Sequence, residues 1–171
     1  YFRIVQNKAY ERVVPHVWVG LDTPDIFSKE HTASAYRKVY RGNHGLELVG
    51  GVPAREYPET YFADVVPLPK EEIFTQKGLN CQFVWQKNTL TVAIQLAIYM
   101  GFKTIGFTGI DLQGDYFDNR TLTDAEQKKI DMLLAEEFEF MKWLCSAASL
   151  SGIALENHSP NSRLCEIMKT V

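Results

Sequence analysis

The sequence predicts an α/β fold built on an open, mainly parallel sheet with helices on both faces, and three stretches carry that expectation. In the first, Asn88 and Thr89 are residues that cap free backbone N–H groups, and Val92, Ile94, Leu96, Ala97 and Ile98 behind them are apolar round more than one helical face. That pattern predicts a buried helix. Gly101 ends it, and the short β-prone run from Thr104 to Ile110 suits a strand covered on both faces, with Asp111 where the strand stops. The second stretch, His16-Val17-Trp18-Val19-Gly20-Leu21, reads as another buried strand that delivers Asp22-Thr23-Pro24 at an acidic strand-to-loop corner. In the third, Thr123-Asp124-Ala125-Glu126 opens a long helix with Ile130, Leu133, Leu134, Phe138, Met141, Leu144 and Cys145 as a core stripe, and Ile153-Ala154-Leu155 follows as a strand. Alternating strands and helices make a parallel sheet, and ligands of such sheets bind outside the carboxyl ends of the strands. Asp111 is therefore the first candidate for a functional residue.

The remaining elements follow in chain order. Residues 1–5 read as a strand, with Asn7 at its end and a short helical piece over residues 9–13. Residues 25–42, with Ile26, Phe27, Tyr36, Val39 and Tyr40 among Ser, Lys, Glu and Arg, read as an amphipathic surface helix ending at Gly42. Residues 46–49 read as a short strand before Gly50-Gly51. Residues 52–78 contain Pro53, Pro58, Pro67 and Pro69 and read as a long irregular excursion over the surface, in which 61–66 is the only strand-like run. The chain closes with a helix capped by Ser159 or Asn161, with Pro160 in its first turn. The whole, 1–171, reads as one domain, since 46% hydrophobic side chains suffice for a single core.

Composition narrows the function classes. Eighteen Lys and Arg against 21 Asp and Glu leave a net charge of −3, with no basic field for a nucleic-acid backbone. No apolar run reaches the roughly 18 to 20 residues of a membrane span, so membrane contact is expected to be peripheral at most. Three widely spaced cysteines and four histidines without metal-ligand spacing suggest neither a disulfide framework nor a zinc centre, and a reducing cytoplasm is the expected compartment. Residues 86–89, Gln-Lys-Asn-Thr, place polar groups at a helix N-terminus, where free N–H groups and the helix dipole favour an anion; a plain cap accounts for the same residues. Asp22 reads equally as an Asx turn before Pro24 or as a ligand group. Asp111, Asp115 and Asp118 could hold Mg²⁺, or lie solvated in a loop. Asn161 and Ser162 sit where the closing helix directs free N–H groups toward the sheet edge, and both are candidate nucleotide-binding residues. No oligomeric state follows from the sequence.

Phe2-Arg3 with Asn7-Lys8-Ala9-Tyr10, the run from Asn88-Thr89 through Gly101-Phe102-Lys103 to Gly109-Ile110-Asp111, and the run from Ile153 through Ser159-Pro160-Asn161-Ser162-Arg163-Leu164 together resemble a Rossmann-like group. That group contains the Campylobacter-type lipooligosaccharide sialyltransferases and the 6-hydroxymethylpterin diphosphokinase MptE-like proteins. The resemblance implies a Rossmann-like sheet, and a CMP-sugar donor bound by Asn7, Asp22 (where the family has Asn), Asn88 and Thr89. It further implies that Tyr116 helps neutralise the departing phosphate and that Asp111 has a structural or ligand-orienting role. It leaves the family's first strand and nucleotide-cradling loop upstream of Tyr1, so the expected sheet lacks them, and residues 112–123 contain no counterpart of the family's catalytic His. The expected function is a nucleotide-sugar-dependent glycosyltransferase without an assigned cofactor. The alternatives are a Mg²⁺-dependent pterin diphosphokinase using Asp111, Asp115 and Asp22, and a non-catalytic relative that binds a nucleotide or a protein.

Overall fold

The computed structural model describes residues 1–42, 48–49, 51–75, 82–86, 88–110, 112 and 122–171. They form two compact units, Tyr1–Gly101 and Phe102–Val171.

The first unit begins with β1 (Ile4–Gln6), a 3-10 turn over Asn7–Glu11, and β2 (Val17–Gly20). A 3-10 turn over Pro24–Ile26 and the short helix α1 (Lys29–Ala33) lead to β3 (Arg37–Arg41). The two-residue strands β4 (Leu48–Val49) and β5 (Val52–Pro53) pair antiparallel with each other. Then come β6 (Thr60–Val66), α2 (Glu72–Thr75), β7 (Gln82–Val84) and α3 (Thr89–Tyr99). Strands β1-β2-β3-β6-β7 make one sheet in that order, every neighbouring pair parallel, as the α/β reading expects.

Alternation along the strands sorts the side chains onto two faces. Val17, Val19, Leu21, Val39, Ala63 and Phe83 point to the face covered by α3, where Val92, Ala93, Leu96 and Tyr99 meet them. Val5, Trp18 and Tyr40 point to the other face, covered by Tyr10, Phe27 and Tyr36 from the two connections. Helical cover therefore lies on both faces, although one face has only short turns and α1. The helix α3 touches β7, β1 and β2. Edge strands of a flat five-stranded sheet stand about 19 Å apart, almost twice a helix diameter. One helix reaches both edges only because the sheet curls around it.

Two expectations for this unit are corrected. Residues 25–42 are not a surface helix: only Lys29–Ala33 is α-helical, and Arg37–Arg41 is an interior strand between β2 and β6. The helical reading failed because Tyr36, Val39 and Tyr40 sit at spacings of three and four, whereas Val39 and Tyr40 serve opposite faces of the sheet. Residues 52–78 are likewise more than a surface excursion, since β6 within them lies between β3 and β7. Gly20 permits one close approach: a Cβ there would stand 2.1 Å from the Trp18 ring, so the indole lies along the strand only over glycine.

The second unit contains β8 (Thr104–Phe107), α4 (Asp124–Leu150), β9 (Ala154–Asn157) and β10 (Lys169–Thr170), in a parallel sheet of order β10-β9-β8. Thr123 and Glu126 form the capping box that starts α4. Phe138, Met141, Leu144 and Ala148 are its buried stripe, packed on β9. The amino-terminal part of the expected stripe departs from core packing: Ile130 and Leu134 are half-buried and Leu133 is 41% exposed. In place of a closing helix capped by Ser159 or Asn161 stands a 3-10 turn, Arg163–Glu166, capped by Ser162 and followed by β10.

Among the described residues no helix is long and apolar enough to cross a membrane.

Candidate functional site

The carboxyl edge of the first sheet gathers four of the candidate residues. Asn7 follows β1 in the left-handed region at φ 48°, which asparagine tolerates better than most residues, and its carbonyl accepts a 2.7 Å bond from Trp18 Nε1. Its side chain is exposed, as is that of Asp22 after β2. Asn88 caps α3 just beyond β7. Its Oδ1 accepts from the Thr91 N–H and the Thr91 hydroxyl, both at 2.8 Å, while its carboxamide Nδ2 makes no hydrogen bond to a described residue. Thr89 is buried in the first turn of the helix. This edge thus offers an exposed amide, an exposed carboxylate and a helix N-terminus whose cap retains a spare donor.

The carboxyl edge of the second sheet is knitted by serines. Gly109, at φ 74°, donates its N–H to Ser159 Oγ at 2.8 Å, tying the loop after β8 to the loop after β9. Ser162 donates its hydroxyl to the Ile110 carbonyl and accepts the Leu164 N–H at 3.0 Å. Asn157, fully buried, holds both backbone groups of Ser159, accepting its N–H at 3.0 Å and donating to its carbonyl at 2.9 Å. Ser162 therefore works as a buried brace, and Asn161 beside it is exposed. Asp111, Tyr116, Asp115 and Asp118 lie outside the described residues.

Two clusters here carry no sequence motif. Glu156 and His158 stand on one face of β9 and its extension, Oε2 to Nε2 3.6 Å, with the imidazole over Gly106, where a Cβ would come within 2.7 Å of Nε2. The only local signal is a Glu-x-His at strand spacing, with glycine on the neighbouring strand. In the first unit, His31 is 3% exposed, stacked on Tyr10 at 3.9 Å and edge-on to Trp18 at 4.4 Å, with Nδ1 bonded to the Tyr36 hydroxyl. Burial, with help from the Lys38 charge, lowers its pKa to about 4. Lys38 itself is fully buried, donating to the carbonyls of Ser34 at 2.6 Å and Tyr36 at 2.9 Å, and burial lowers its pKa to about 8 against the opposing pull of Glu59. This cluster was unreadable because a lysine whose partners are backbone carbonyls leaves no pattern in the sequence.

Among the described residues no group of three or more His, Cys, Asp or Glu is placed to hold a metal ion. Cys145 and Cys165 are free thiols, and Cys81 lies outside the described residues. Compared with known proteins, the chain matches no family model, no curated protein and no solved structure.

Proposed function

We propose that the chain binds a nucleotide at the carboxyl edge of the first sheet and is a nucleotide-sugar-dependent glycosyltransferase of the sialyltransferase type. The observation that carries the reading is the Asn88 cap at that edge: one carboxamide oxygen satisfies the helix while the amide nitrogen is bonded to none of the described residues. A helix N-terminus favours phosphate through its free N–H groups and its dipole, and Asn7 and Asp22 supply further polar groups suited to a ribose or a base. The resemblance in sequence adds the donor class, a CMP-sugar, and the assignment of Asp111 as ligand-orienting and Tyr116 as the group that neutralises the leaving phosphate. In such a transfer the acceptor hydroxyl gives up its proton to water as its oxygen bonds to the anomeric carbon, the bond from sugar to phosphate breaks, and its electron pair leaves with CMP.

The test is CMP binding by the native protein and by Asn88→Asp. Aspartate caps a helix as well as asparagine does, so thermal stability should be kept. Exchanging the amide donor for a negative charge should weaken CMP binding by about tenfold or more, the equivalent of roughly 1.4 kcal/mol. A ligand that binds the folded state raises the melting temperature, so the native protein should be stabilised by CMP without Mg²⁺. Stabilisation by ATP that requires Mg²⁺ would move the reading to diphosphate transfer, and no response to either nucleotide would overturn it.

A further inference from the structure

The connection from Pro24 to Tyr36 covers the Trp18–Tyr40 face of the first sheet, and it does so at an unusual cost in stranded polar groups. His31 and Tyr40 are almost wholly buried, yet among the described residues His31 Nε2 has no hydrogen-bond partner, and the Tyr40 hydroxyl, with the Thr32 side chain beside it, makes no hydrogen bond of good geometry. Buried polar atoms are nearly always paired, because leaving one unpaired forfeits its bond to water. Beside them the Lys38 ammonium is held away from solvent by two carbonyls of this same connection. The cover is slight: a three-residue 3-10 turn, the five residues of α1, and the local bonds from Phe27 N–H to the Pro24 carbonyl, Thr32 N–H to the Ser28 carbonyl and Ser34 N–H to the His31 carbonyl. Phe27 and His31 are its main anchors on the sheet. Opening would expose Phe27 but hydrate three polar groups that the closed form leaves unpaired or dry.

We propose that the connection from Pro24 to Tyr36 is a proton-driven flap, opening on its own ahead of the rest of the first unit and releasing His31, Tyr40 and Lys38 to water. The trigger is His31. The groups facing it are Tyr10 from the turn after β1, Tyr36 from the connection itself, and Lys38 and Tyr40 from β3. Glu59 and Tyr57 lie one step further out, acting on Lys38 and Tyr40. Among the described residues the groups facing it are tyrosine hydroxyls and the Lys38 ammonium, so an imidazolium in the closed flap meets repulsion instead of a counter-ion. In the open flap the ring meets water and protonates at its ordinary pKa. Only Thr23 separates the flap from Asp22, so opening frees the corner after β2. The inference does not depend on nucleotide binding, since it concerns the protein alone.

Hydrogen exchange tests it, read as protection factors so that the intrinsic pH dependence of exchange divides out. The amides of His31, Thr32 and Ser34 should be less protected than amides within α3 at every pH, because local opening needs less free energy than global unfolding. Between about pH 7.5 and about pH 5 their protection should fall about 30-fold, the ratio set by a ring that titrates near 6.5 when open and near 4 when closed. In His31→Gln that fall should vanish. Tyr40→Phe keeps the trigger and removes one stranded hydroxyl, so it should raise flap protection severalfold. Flap amides that exchange only as fast as those of α3, protection that ignores pH, or lower protection in Tyr40→Phe would each overturn the proposal.

Discussion

Replacing Gln95 by leucine is expected to cost about 2–5 kcal/mol of stability, more than its size suggests, because Gln95 finishes the edge of a sheet. Residues 83 and 85 of the β7 region turn their backbone toward β6, as the 2.8 Å bond from Trp85 N–H to the Val66 carbonyl shows, so Val84 turns its own groups outward. There the Gln95 carboxamide stands in for a further strand: Oε1 accepts the Val84 N–H at 2.8 Å and Nε2 donates to the Val84 carbonyl at 3.0 Å. A second Nε2 bond reaches the Thr91 carbonyl at 3.1 Å, and the residue is 1% exposed. Leucine would fill the volume and leave both Val84 groups buried without partners, at about 1–3 kcal/mol each. Urea unfolding of the two proteins measures this directly. A loss below about 1 kcal/mol would mean that water reaches β7 and that the helix does not seal the edge.

Stability is also expected to rise with pH in two separate steps. The folded protein holds His31 neutral down to about pH 4, whereas the unfolded chain takes up that proton near 6.5. Between those values the unfolded state binds more protons, so stability falls as the pH drops, by about 3 kcal/mol in all. Lys38 acts in the same direction at higher pH: folded it releases its proton near 8, unfolded near 10.5, so stability climbs through that window by a similar amount. The climb ends where tyrosine takes over. Tyr40, pushed by burial up to about 12, ionises first in the unfolded chain and reverses the slope above about pH 10. Unfolding free energies across this range, in the native protein and in His31→Gln, separate the acid step from the titration of surface carboxylates, which both share. Parallel curves for the two proteins between about pH 4 and pH 6.5 would contradict the buried neutral imidazole.

The elements legible in the sequence are those whose chemistry is local. Asn88 announces α3, Gly101 at φ 82° ends it, and Thr123 with Glu126 announces α4, because caps and left-handed turns need particular residues at fixed offsets. What stayed hidden depends on partners distant in the chain. Arg37–Arg41 becomes a strand because β2 and β6 flank it, and Lys38 is tolerated inside because the carbonyls of Ser34 and Tyr36 converge on its ammonium. The run 61–66 reads as a strand, yet four surrounding prolines disguised its place in the sheet interior. The candidate site divides the same way. Asn7, Asp22 and Asn88 were found from strand ends and a cap, which are local features, whereas the buried His31 group and the Glu156–His158 pair exist only once strands lie side by side.

Titrating CMP into isotope-labelled protein and following the backbone amide resonances tests for a nucleotide at the carboxyl edge of the first sheet. Saturable shifts are expected at Asn7, Asp22, Asn88, Thr89 and Leu90, complete by about 1 mM ligand for a dissociation constant in the micromolar range. Resonances that stay still at that concentration, or shifts confined to α4 while those five residues do not move, would contradict it.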